Sequence, residues 1–124
     1  MAVQYEFDER YRVFRATFIG PCTFEDYLES TAQAVKAFQQ HGTAKGLIDF
    51  REGENRADLD VLYGLPDLYE RIYSHGAVRI GILTVRGHKD ASFIRFYETI
   101  CLNRGWTAKV FYEYEEAMDW FGTS

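Results

Sequence analysis

Polar and apolar residues alternate over Gln4 to Asp8 and again over Tyr11 to Phe18, with Asp8-Glu9-Arg10 between the two runs. Alternation at a period of two marks half-buried strands. So short a connection makes them an antiparallel hairpin, with Tyr5 and Phe7, then Tyr11, Val13 and Arg15, on shared faces. Ile19-Gly20-Pro21 is expected to end the pairing. The period then lengthens. Phe24, Leu28, Val35 and Phe38, with Thr31 and Ala32 between them, recur at spacings of three and four, which places them on one face of a helix. Thr23 supplies the N-cap hydroxyl, Glu25 and Asp26 complement the positive end of the helix dipole, and His41-Gly42 is the stop.

Lys45 to Phe50, reading KGLIDF, is short and apolar and suits a central strand covered on both faces. Arg51 to Asp58 is polar, with Gly53 and Asn55 as breakers, and reads as a loop. Asp58 and Asp60 then open a second helix with an apolar stripe of Leu59, Leu62, Leu65, Leu68, Tyr69 and Ile72. Pro66 removes a donor there and biases Leu65 away from helical angles, so two pieces hinged near Gly64-Leu65 are expected. Val78 to Val85 is the next strand. Gly87-His88-Lys89-Asp90 turns into a helix with Asp90 as N-cap, Phe93, Phe96, Tyr97 and Ile100 on its buried face and Cys101 near the edge of that face. The helix stops at Asn103-Arg104-Gly105. Trp106 to Phe111 makes the last strand, and Glu115 to Phe121 a closing helix with Ala117, Trp120 and Phe121 apolar. Parallel strands need crossovers of this kind. The order therefore predicts one α/β domain over residues 1–124: a mixed sheet of about five strands with helices packed on it, entered by an antiparallel hairpin.

Composition narrows the functional classes. At 124 residues the chain can bury a single core, and 47% hydrophobic with 27% charged residues is globular. A net charge of -5 gives no support to a nucleic-acid partner, which requires a basic face. The opening MAVQYEFDER alternates and lacks the apolar core of a secretion signal, and no apolar run nears the roughly 20 residues of a membrane span, so a cytoplasmic location is expected. Cys22 and Cys101 are far apart and imply neither a zinc site nor a disulfide. No cofactor is implied. The aromatic share of 17% suggests a groove or a subunit contact, and a homodimer is among the expected arrangements.

This element order, with LIDFR in the middle and RFYETICLNRGWTAKVFYEYEEAMDWF at the carboxyl end, resembles the SpoIIAA-like family of STAS-like domains, a fold also compared with the lipid-binding Sec14 type. The most specific part is Arg95-Phe96, Glu98, Asn103-Arg104-Gly105 and Ala117 to Trp120. The resemblance implies binding or regulation rather than catalysis. In the STAS antagonists of anti-sigma factors a phosphorylatable Ser or Thr sits at the start of the helix after the third strand. Here Arg51 to Leu62 contains no hydroxyl residue, so no phosphoacceptor is carried over.

Ligands of open α/β sheets tend to sit beyond the carboxyl ends of the strands. That edge gathers Asp49, Arg51 and Arg56 with Asn55 from one loop, and Arg86, His88 and Lys89 from another. Together with helix N-termini, these cations suit an anion; as solvated loop charges they would each be worth little. Asp49 ends a strand as a receiver-domain aspartate does, yet the acidic pair and the distal lysine of receivers are missing, which leaves it a structural acceptor of loop N–H groups. His88 is the one histidine placed for general base work, and nearby Asp90 is its only visible orienting group. His41 and His75 fall at expected helix ends, where the dipole accounts for them. No His pair has metal-ligand spacing. Tyr63, Tyr69 and Tyr73 with Leu65 form either a flap over an apolar pocket or partner surface, or the wide buried face of a core helix.

The expected function is a non-enzymatic regulatory or binding module working through protein contacts, without catalytic or metal-binding residues. The alternatives are a small lipid or apolar-ligand binder with the second helix as lid, and an enzyme built on His88 and Asp49. The expected partner is another protein, or a small anionic or apolar ligand.

Overall fold

A computed structural model of the chain describes residues 2–64 and 78–122. The hairpin forms β1 (Val3–Asp8) and β2 (Val13–Cys22), paired antiparallel from Val3↔Phe18 to Asp8↔Val13. Its turn is held by the Tyr11 N–H donating to Asp8 Oδ1 at 2.9 Å. The chain continues through α1 (Phe24–His41), β3 (Lys45–Asn55), a 3-10 helix (Leu59–Gly64), β4 (Arg79–Leu83), α2 (Ala91–Asn103), β5 (Thr107–Phe111) and α3 (Tyr114–Gly122). The strands lie in the order β1-β2-β3-β4-β5, and every pair after the first is parallel. The expected pairing of the last two strands is present, from Arg79↔Thr107 to Leu83↔Phe111.

Alternation along the strands sends their side chains to two unequal layers. On the first face Phe14, Phe18, Phe50, Ile80, Ile82 and Val110 meet Tyr27, Ala34 and Phe38 of α1 and Phe93, Ile94 and Tyr97 of α2. On the second face Val13, Leu47, Leu83 and Phe111 meet Ala117, Met118 and Phe121 of α3. Gly81 makes that second layer close: a Cβ there would lie 3.0 Å from the Phe121 ring. Two cations finish the carboxyl end of α3, where backbone carbonyls are unpaired and the dipole is negative. Lys45 Nζ donates to the Phe121 carbonyl at 3.2 Å and Arg79 to the Trp120 carbonyl at 2.8 Å, with the Arg79 guanidinium 4.1 Å from the centre of the Trp120 ring.

Several expectations need correction. Ile19-Gly20-Pro21 ends the pairing of β2 with β1 but not the strand, because β3, paired along the other edge of β2 from Phe14 onwards, continues as partner through Cys22↔Asn55 after a shift between Thr17 and Ile19. Arg51 to Asn55 is therefore strand rather than loop. Val13 and Arg15 share a face, but it is the opposite one to Tyr5 and Phe7, which pair across to Ala16 and Phe14. Thr23 does cap α1, in a reciprocal box with Asp26, and Gly42 takes the left-handed position at φ 67°. The buried stripe of α1 is Tyr27, Ser30, Thr31, Ala34, Ala37 and Phe38, whereas Leu28 is exposed. Small residues let the helix approach the sheet, and they outrank a large one set at the wrong angle. Ile94 joins the buried face of α2 ahead of the half-buried Phe96. Of the second, hinged helix, the 3-10 turn Leu59–Gly64 is present; Leu65, Pro66, Tyr69, Tyr73 and His75 lie outside the described residues.

If the second layer carries its share of the core, Phe121→Ala should cost about 3–5 kcal/mol in urea denaturation. Gly81→Val should cost about 1–3 kcal/mol through overpacking. Wild-type midpoints for both variants would mean that α3 does not seal this face.

Candidate functional site

The carboxyl edge is shaped by a mismatch in strand length. β3 has partners on both sides only from Gly46 to Asp49; from Phe50 onwards β2 alone pairs with it. Arg51, Gly53 and Asn55 are alternate residues, so their peptide groups fall on the same unpartnered edge. Three side chains substitute for the absent strand. Asp49 Oδ1 accepts the Arg51 N–H at 3.3 Å, His88 Nε2 donates to the Gly53 carbonyl at 3.0 Å, and Asp90 Oδ2 accepts the Asn55 N–H at 2.9 Å. His88 Nδ1 in turn accepts the Asp90 N–H at 2.9 Å, which makes the ring the Nε2–H tautomer and engages both nitrogens. The ring also lies 5.6 Å from that of Phe50. Asp90 precedes α2 as expected, but its carboxylate makes no cap bond and serves β3 instead.

Asn55 ties the end of this arm to α1 and to the next turn. Its Oδ1 accepts from the Tyr27 hydroxyl at 2.9 Å and from the Ala57 N–H at 3.0 Å. Burial, and after it the nearby acidic groups, pushes the Tyr27 hydroxyl well above its ordinary pKa, so it remains a donor.

Asp49 itself points to the second face and is 2% exposed. Arg51 grips it through Nε at 3.0 Å and Nη2 at 2.8 Å, and Arg15 reaches it from β2 at 3.2 Å while resting 5.1 Å from the centre of the Tyr114 ring. Burial alone would raise the Asp49 pKa, but the hydrogen bonds and charge of Arg51, helped by Arg15, hold it below the ordinary carboxylate value. The carboxylate is thus an ionised anchor.

The remaining cations are also placed. Glu54, on the arm, pairs with Arg56 and with Lys89, the latter at 2.6 Å. The Lys89 hydrogen bond is the largest influence on the Glu54 carboxyl; with the Arg56 charge it outweighs desolvation and lowers the pKa. Arg86 lies 4.3 Å from the centre of the Tyr112 ring. Tyr63 stands edge-on to Phe96 at 5.3 Å and its carbonyl accepts from Arg104. Tyr69 and Tyr73 lie outside the described residues. The structure therefore brings Arg56 and Lys89 together through Glu54, and Arg51 onto Asp49. It sets Asp49 and His88 toward opposite faces of the sheet, each with its own partners, so the two that an enzyme reading would combine do not converge.

Sequence reasoning missed Arg15, Glu54 and Tyr114. Arg15 meets Asp49 across 34 residues, and no local spacing announces such a pair. Its signal was a lone arginine at an inward position of an alternating strand. The first face also contains an apolar cavity of about 60 Å³, bounded by α1, α2 and the strands, with Phe18, Phe50, Ile82, Phe93 and Ser30 in its wall. Among the described residues no helix is long and apolar enough to cross a membrane.

Comparison with solved structures follows this architecture. The anti-sigma factor antagonist SpoIIAA in its unphosphorylated form superposes with a TM-score of 0.64 at 16% identity, over 99% of this chain and 100% of that one. The chain has the SpoIIAA-like fold. SpoIIAA described as a Bacillus cell fate determinant, in the phosphorylated form, superposes with a TM-score of 0.59 at 16% identity, over 95% and 97% of the two chains. An uncharacterized Shewanella loihica PV-4 protein of the DUF3478 family, described as having a SpoIIAA-like fold, gives 0.62 at 22% identity, over 97% of this chain and 92% of that one. At such identities the likeness is one of fold. No family model and no curated protein matches the chain.

Two outcomes test the braces of this SpoIIAA-like edge. Asp49→Asn should lose about 1.5–3 kcal/mol at neutral pH, the range for hydrogen bonds to charged groups. A depressed folded-state pKa makes the Asp49 contribution complete above the unfolded value of about 3.9 and lost as pH falls through the lower folded value. The stability gap between wild type and Asp49→Asn should therefore close on acidification; a gap that widens would contradict the assignment. His88→Ala should speed hydrogen exchange of the Asp90 amide about tenfold while leaving the β1–β2 amides protected. Equal protection of Asp90 in both proteins would remove His88 as a brace.

Proposed function

We propose that this protein is a non-enzymatic binding or regulatory module that acts through protein contacts at the carboxyl edge of its sheet. The observation that carries the reading is the braced β2–β3 arm. Its backbone is fixed by Asp49, His88 and Asp90, and it holds the half-exposed or more exposed side chains of Arg56 and Lys89 outward at 58% and 63% exposure. Rigid backbone with adjustable surface charge suits recognition: little backbone ordering is needed on binding, and exposed pairs such as Glu54–Lys89 exchange partners at small cost.

Further support comes from the fold, because one of the similar structures is an anti-sigma factor antagonist. A small free anion fits the edge less well than a protein surface does. Glu54 and Asp49 already lie between the cations, so an anion would have to displace them, whereas a partner can offer several acidic groups at once. The placement of Arg86 on Tyr112 extends the same surface with an aromatic ring, a residue type enriched in protein interfaces.

The test is site-specific photo-crosslinking in source cells. A crosslinker in place of Arg56 or Lys89 should give one discrete adduct with the same protein, and one in place of Lys36, exposed on α1, should not. The Arg56→Glu, Lys89→Glu double variant, crosslinked from position 86, should lose most of that adduct. The same adducts from position 36, or none from any arm position, would overturn the reading.

A further inference from the structure

The edges of the sheet are not treated alike. Glu98 closes β5, and Asp49, His88 and Asp90 close the overhang of β3. β1 pairs with β2 alone, and among the described residues no side chain bonds its outward backbone.

The outward groups follow from the ladder. Val3 lies opposite Phe18 and the Ile19 N–H donates to the Ala2 carbonyl at 2.7 Å, so the even-numbered residues of β1 turn their N–H and C=O groups to β2. Register runs without a shift from Val3↔Phe18 to Asp8↔Val13, which leaves the peptide groups of Val3, Tyr5 and Phe7 facing outward. Such a row of unpaired groups is a template for another strand.

Side chains decide which strand. Gln4 and Glu6 are exposed and stand on the face opposite to Tyr5 and Phe7. If a second β1 is laid antiparallel along this edge about a twofold axis at Tyr5, then Tyr5 meets Tyr5, Val3 meets Phe7 and Gln4 meets Glu6 of the copy. Val3, Tyr5 and Phe7 each exchange both backbone bonds, and the Gln4 amide is set to donate to a carboxylate. Other centres fit less well. An axis at Glu6 opposes that carboxylate to its own copy, an axis at Phe7 opposes Glu6 to Asp8, and an axis at Gln4 or Val3 shortens the ladder. The same axis reverses α1. Beside Tyr5 and Phe7 this helix presents Gln33, Lys36 and Gln40, with Gln33 donating to Glu29 at 3.0 Å, so its acid and its base change ends between the copies.

We propose that the outer edge of β1 binds a second copy of this chain, antiparallel and centred on Tyr5, to make one continuous sheet across a symmetric dimer. The contact is isologous, so every pairing occurs twice. An unrelated extended strand could use the same backbone groups, but it would gain nothing from the self-matching order of Gln4 and Glu6. The dimer uses none of the residues of the braced arm, so either reading can fail without the other.

Sedimentation equilibrium of the full chain, from micromolar to millimolar concentration, should show a monomer–dimer equilibrium. Over the same range hydrogen exchange of the Val3, Tyr5 and Phe7 amides should slow about tenfold, while the Gln4 and Glu6 amides, already bonded to β2, stay unchanged. Gln4→Lys places a cation opposite Glu6 and should tighten the dimer roughly fivefold; Gln4→Glu opposes two carboxylates and should weaken it by about as much. Gln4 is exposed and the wild-type readings need no substitution, so the test does not hang on a variant that fails to fold. A monomer at every concentration, a dimer without slowing of the odd-numbered amides, or weakening by Gln4→Lys would overturn the proposal. Slowing of those amides only when cell extract is added would overturn it too, and would give the edge to a foreign strand.

Discussion

A parallel strand that outruns its neighbour leaves peptide groups with nowhere to go, and β3 outruns β4 by the length of Phe50 to Asn55. Buried or half-buried N–H and C=O groups must be paired, so the overhang dictates what surrounds it. Asp49, His88 and Asp90 each satisfy one of its groups, and the β4–α2 connection is routed so that two of them reach it. β5, the far edge of the sheet, is treated likewise: Glu98 of α2 accepts the Val110 N–H at 3.0 Å. Side-chain carboxylates and an imidazole thus do along these edges what another strand would do, and they also block pairing with foreign strands.

This division of labour explains why residues with the look of chemistry end up as scaffold. A carboxylate at a strand end, a histidine in the adjoining loop and several cations can be drawn as a reactive site. In the folded chain each polar group answers the need of a particular neighbour: His88 a carbonyl and an amide, Asp49 an amide and two guanidinium groups. What remains adjustable lies outside these bonds, in the exposed Arg56 and Lys89 about Glu54. The separation gives a stiff support with a responsive surface, a combination suited to recognition.

The two faces of the sheet differ in how tightly they are filled. On the second, Gly81 admits the Phe121 ring against the strand backbone, and cations secure the end of the short α3. On the first, small residues of α1 bring the helix near the sheet, while the large rings on either side leave space at Ser30. Packing density is therefore uneven within one domain.

Local pattern sufficed for the succession of strands and helices, the hairpin, the Thr23 and Gly42 limits of α1, and the parallel pairing of β4 with β5. Those features rest on periodicity and capping chemistry within a few residues, where alternatives are few. It did not suffice for the extension of β2 and β3, since Gly20, Gly53 and Asn55 are breakers by local preference and are held in strand by a partner more than thirty residues away. Nor could it place Arg15 on Asp49, or distinguish His88 as a brace from His88 as a base: both depend on which groups a distant segment leaves unpaired. Edges, unlike elements, exist only once the strands have been arranged, and the polar residues of this chain were chosen by its edges.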